Sequence, residues 1–122
     1  MATQKFPIHF FEIPVTDFER AKAFYEAVTA DRLETMTMGA HQFGFFPRAE
    51  SVGGAIVHGE GYTPSQTGTL VYLNGSQDFD GMLKRVAAGG GTVVMPRTSI
   101  GEHGFIARFV DTEGNAVAIH SM

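Results

Sequence analysis

The chain has 122 residues, of which 43% are hydrophobic and 11% aromatic; it has no cysteine and a formal net charge of −4. That length supports one domain with a full core. The lack of cysteine excludes disulfides, thiolate metal sites and cysteine nucleophiles, and an acidic balance without a basic cluster argues against nucleic acid as a partner.

No apolar run approaches the roughly 18 residues of a membrane span, and Met1–Pro7 is no apolar leader, so no membrane association and a cytoplasmic location are expected. Phe6 to Pro14 reads as a strand, with Phe10, Glu12 and Pro14 on one face and Phe11, Ile13 and Val15 on the other. Thr16-Asp17-Phe18-Glu19 has the form of a capping box with Thr16 as the N-cap. The helix it starts runs to about Thr29, and Phe18, Ala21, Tyr25 and Val28 make its apolar stripe. Arg32–Met38 and His41–Phe46 alternate like paired strands around Gly39-Ala40, and Gly53–His58 is a fourth strand.

Gly59–Gly68 is rich in Gly, Pro and Ser and reads as a linker. The pattern then restarts. Thr69–Asn74 is a strand; Asp78 caps a helix from Phe79 to about Ala88; Gly89-Gly90-Gly91 ends that helix through a left-handed cap. Thr92–Met95 is a strand and Pro96–Gly104 a loop, a candidate lid. Phe105–His120 is strand, tight turn, strand, with Asp111-Thr112-Glu113-Gly114-Asn115 as the turn. Phe43–His58 matches this last stretch without a gap at a spacing of 62 residues, laying Ala55-Ile56-Val57-His58 on Val117-Ala118-Ile119-His120. The chain is thus expected to be two β-α-β-β-β modules in a single domain: residues 1–58, a linker 59–68, and residues 69–122.

Phe11-Glu12-Ile13-Pro14-Val15-Thr16-Asp17, then Arg20-Ala21 and Phe24-Tyr25-Glu26, then the glycine triplet and the Asp111–Asn115 turn, carry a resemblance. In order and spacing the chain resembles the vicinal oxygen chelate superfamily, which includes glyoxalase I, bleomycin-resistance proteins and extradiol dioxygenases. The resemblance implies an α+β fold in which two βαβββ modules form an eight-stranded, U-shaped mixed sheet around a cavity. It also implies a homodimer, with modules exchanged between chains in some members. Metal-dependent members hold a divalent ion from the first and last strands of each module. Here those positions carry Phe10, Leu70 (Thr69 in a shifted threading), Ile56 and Ala118, none of which can donate to a metal. No cofactor is therefore expected.

Residues two positions further along a strand share its face, which puts Glu12, His58, Tyr72 and His120 beside those four apolar positions. All eight are expected to line the cavity and bind ligand, while Phe11, Val57, Val71 and Ile119 face the helices. Two functions follow, beside a third reading in which the fold serves mainly dimer or heteromer formation. In the first, the protein binds or sequesters a small, partly apolar molecule. In the alternative, it is a lyase- or isomerase-type enzyme with Glu12 as catalytic base and His58 or His120 as partner, or with Glu12, His58 and His120 as a displaced divalent-metal site.

Overall fold

Alternating faces and well-placed turns produce short strands here, and apolar stripes at helical spacing produce two helices. The structure is a computed structural model that describes residues 7–48 and 52–122. Its elements are β1 (Phe10–Pro14), α1 (Phe18–Thr29), β2 (Glu34–Met38), β3 (His41–Phe45) and β4 (Gly53–His58), then β5 (Val71–Asn74), α2 (Phe79–Ala88), β6 (Thr92–Ser99), β7 (Phe105–Val110) and β8 (Ala116–Ser121). Phe6, the expected start of the first strand, lies outside the described residues. No helix among them is long and apolar enough to cross a membrane.

The two β-α-β-β-β units are present, and their eight strands form two separate four-stranded sheets, in the orders β1-β4-β3-β2 and β5-β8-β7-β6. In each sheet the first strand lies parallel to the fourth and the remaining pairs are antiparallel. β6 continues through Pro96 to Ser99, past the expected end at Met95, with register shifts against β7. Proline is tolerated there because β6 is an edge strand with irregular pairing. The expected loop shrinks to a single 3-10 turn at Gly101–His103.

The helices pack on each other between the sheets. One core joins both modules: Ile13 and Ile56 from the first sheet, Phe24 and Val28 from α1, and Phe109 and Ile119 from the second sheet. Phe24 meets Phe109 at 5.9 Å between ring centroids. The glycine triplet makes room for that crossing. Only Gly90 takes a positive φ (100°), whereas a Cβ on Gly91 would stand 2.9 Å from the Phe24 ring. The positive φ expected within the triplet thus falls on Gly90, while Gly89 has a φ of −88°.

Because the helix sides of both sheets share this core, their other faces open outward. Strand register shows which residues lie there. Glu12 pairs with Ala55, and Phe45 pairs with the same Ala55, so these three share the open face of the first sheet. Ile56 pairs with Ile13 and Gly44, and belongs to the core. The counterpart bonds Val15 N–H to Val57 O and Gly75 N–H to His120 O make Val57, not His58, the equivalent of His120. The two hairpins therefore repeat one residue further apart than their sequence similarity suggests. A one-residue slip in a strand exchanges its faces. Ile56 and His58 are on the helix side, and Ala55 and Val57 take the open-face positions that the sequence assigned to them.

The turn between β7 and β8 binds the modules together. The N-cap of α1 is Asp17, not Thr16: its carboxylate accepts from the Arg20 amide at 3.1 Å. The second half of the capping box comes from Glu113, which is 96 residues away and whose side chain is fully buried. It accepts from the Asp17 amide at 2.7 Å, from the Thr16 amide and hydroxyl at 3.0 Å each, and from Arg20 Nε at 2.8 Å. Asp111 accepts from the Tyr25 hydroxyl at 2.5 Å, and Asn115 Nδ2 donates to the Pro14 carbonyl at 2.7 Å. Burial and the Asp111 carboxylate push the Tyr25 phenol well above its usual range.

Burial raises the Glu113 carboxyl, but hydrogen bonds from Arg20, the Asp17 amide, Thr112 and Thr16 outweigh it and bring the pKa down from 4.5 to about 2. A depressed carboxyl stabilises the fold above its unfolded pKa, and the contribution disappears as pH falls through the folded one. Glu113→Gln is expected to lose about 3 kcal/mol at neutral pH. In urea titrations its deficit against wild type should close as pH falls from 4.5 to about 2. A constant deficit across that range would contradict the assignment. At the other end of α1, Ala30 holds a left-handed φ of 60° and is exposed. Ala30→Gly should raise stability by roughly 0.5–1 kcal/mol, read as a higher urea midpoint.

Candidate functional site

Each open face combines apolar surface with a few anchored polar groups. On the first sheet these are Phe10, which is 39% exposed, Phe43, Phe45, Met36 and Glu12. The carboxylate of Glu12 is held by a residue that the sequence reading had placed in the linker. Tyr62 OH donates to Glu12 Oε1 at 2.9 Å, and the Tyr62 ring meets His41 edge-on at 5.6 Å. The hydrogen bond to Glu12, then burial, then the carboxylate charge raise the Tyr62 phenol above its ordinary value. The sequence signal was there: Tyr62 is the one aromatic in a stretch of Gly, Pro, Ser and Thr.

On the second sheet, Tyr72 and Arg108 flank Ala118, and Asn74 and Ile106 flank His120. Here the expected parity holds: Val71 and Ile119 turn to the core. Tyr72, Asn74, Ile106 and His120, with Ile100 and Met122, line an open recess of about 620 Å3. His120 Nε2 lies 2.8 Å from the His103 carbonyl. A carbonyl only accepts, so Nε2 is the donor in this contact. Leu70 directly precedes β5 and is half-buried.

His58 joins neither group. Its Nδ1 lies 3.2 Å from the Val15 carbonyl, to which it donates. The expectation that Ile56 and His58 line the cavity is corrected by the face they occupy. Nor does the chain assemble Glu12, His58 and His120 into one set. They lie on the open face of one sheet, its helix side, and the other sheet. Among the described residues no three His, Cys, Asp or Glu side chains gather closely enough to hold a metal ion.

The profile of the glyoxalase/bleomycin resistance protein/dioxygenase superfamily matches residues 7–119. The chain belongs to this superfamily. Solved structures show the same fold. A glyoxalase/bleomycin resistance protein from Albidiferax ferrireducens T118 superposes with a TM-score of 0.73 at 17% identity, over 92% of this chain and 95% of that one. The fosfomycin resistance protein FosX of Listeria monocytogenes gives 0.68 at 16% identity, over 98% and 93%. An E144Q variant of glyoxalase I from Zea mays gives 0.73 at 14% identity. The match covers 94% of this chain but 45% of the maize enzyme, so this chain spans about half its length. A comparison with curated proteins returns no match. At these identities the likeness is one of fold, and chemistry must be argued from the residues present.

The Tyr62–Glu12 contact is directly measurable. In an ultraviolet titration of the three tyrosines, Tyr62 should ionise above 10, and Glu12→Gln should return it towards 10. Tyr25 should stay protonated until the chain unfolds. An unchanged Tyr62 titration in the variant would show that the contact is not populated in solution.

Proposed function

We propose that this chain is a small-molecule-binding member of the superfamily that works as a homodimer, with the first sheet of one copy facing the second sheet of the other. The observation that carries this reading is the pair of uncovered faces. Phe10, Met36 and Tyr72 are 39%, 42% and 45% exposed, unusually large apolar groups to leave in water side by side with a few fixed polar ones. A ligand on one open sheet stays half solvated, whereas two facing sheets exclude water from both of its sides. Relatives described as bleomycin and fosfomycin resistance proteins are consistent with a compact organic ligand.

A divalent ion does not fit the residues at the superfamily's ligand positions. Phe10, Leu70, Ala118 and Ala55 offer no donor atom, and His58 turns away from Glu12. We therefore assign the site no metal.

An acid–base enzyme is the alternative, and it rests on Glu12, an exposed carboxylate on an otherwise apolar face. His120 belongs to the other sheet, so only a second copy would bring the two together.

Light scattering on the purified protein should give the mass of a dimer, and elemental analysis should find metal at background. Apolar compounds at about 100 times Kd should raise the melting temperature by roughly 5 °C or more. Tyr72→Ala should weaken that binding about tenfold. A monomer that responds to no compound would sink the reading; stoichiometric metal would redirect it to metal-assisted chemistry.

A further inference from the structure

We infer that the ligand of this site is a small aromatic or apolar acid, its anionic group held by Arg32 and Arg48; this rests on the binding-site reading above. The open face of the first sheet ends in a recess of about 460 Å3, a volume suited to a small organic molecule. Phe10, Phe45 and Phe46 form its apolar walls, and Arg32, Arg48 and Glu34 bring charge to it.

Two local features aim the cations. Glu34 opens β2 on the open side, where it pairs with Phe45, and Arg32, two residues before it in the segment that leads into the strand, lines the same recess. Arg48 lies over Gly53. A Cβ at that glycine would stand 3.1 Å from Arg48 Nε and 3.5 Å from the Phe10 ring. The missing side chain lets the guanidinium rest on the strand against Phe10. With two arginines and one glutamate the recess carries a net positive charge. The ion pairs among the described residues engage other groups.

Glu12 stands two residues along β1 from Phe10, roughly 7 Å away on the same face. The face therefore runs from positive to negative. An acid orients with its anionic end between the guanidiniums, its ring against Phe10 and Phe45, and its uncharged end towards Glu12. A diacid is repelled at Glu12, and a neutral compound leaves the excess positive charge of the recess unbalanced. Forked guanidinium donors suit a carboxylate and a phosphonate alike.

The test titrates benzoate, phenylphosphonate and neutral benzamide into the full chain, followed calorimetrically and by the arginine Nε–H resonances. Both acids should bind at least about tenfold more tightly than benzamide and shift the resonances of Arg32 and Arg48. Arg32→Gln and Arg48→Gln should each weaken acid binding about tenfold, and Glu34→Gln should strengthen it. Both arginines are exposed, so these variants should keep the wild-type melting temperature. Binding of one acid alone would support the site and name its preferred anion. Equal binding of benzoate and benzamide, or indifference to both arginine variants, would overturn the acid pocket. The binding reading would then stand on the Tyr72→Ala result. A chain that is monomeric and binds none of the three would overturn both.

Discussion

The carboxylate of Glu113 at the amino end of α1 is the contact on which the rest of the structure depends. A helix leaves its first amide groups without partners, and its dipole favours negative charge there. In most helices a residue within the first turn supplies that charge. Here Asp17 supplies one carboxylate and a second arrives from the β7–β8 turn, so the contacts that complete the helix end also dock the second module. Asp111 and Asn115 add a buried tyrosine and the Pro14 carbonyl from the same five-residue turn. Three side chains thereby set the first module's entry strand and helix against the second module's final hairpin.

Where the site lies follows from that docking. With α1 and α2 packed together between the sheets, the helix sides of both sheets merge into one core and both open faces point away from it. Neither face is a closed pocket within one chain. The first is rich in aromatics and carries Glu12, with the two arginines at its end. The second carries Tyr72, Arg108 and His120.

Much of the architecture was legible along the chain. The stripes at Phe18–Val28 and Phe79–Val86, the Gly39-Ala40 turn and the Asp78 cap were readable because their periodicity and turn chemistry are local. Pro96 misled because a proline signals an end only where its amide would be needed, and an edge strand does not need it. Thr16 misled because threonine and aspartate are both good caps, and a distant carboxylate determined which one the helix used. The largest error lay in β4. Similar residues in Ala55–His58 and Val117–His120 suggested a gapless match, but hydrogen-bond register, not residue identity, defines equivalent positions. One residue of slip turned His58 and Ile56 to the wrong face.

By itself the sequence determined the elements, their order, the repetition of the module and the superfamily, because hydrophobic period, caps and turns act over a few residues. It also determined that Phe10, Leu70 and Ala118 offer a metal nothing. Only the tertiary structure decided that Glu113 caps a helix some 96 residues away, that Tyr62 reaches Glu12, and that Arg32 and Arg48 share a recess. Those are contacts between segments distant in the chain. Nothing in local spacing encodes them; they exist once packing of the common core has placed the segments side by side.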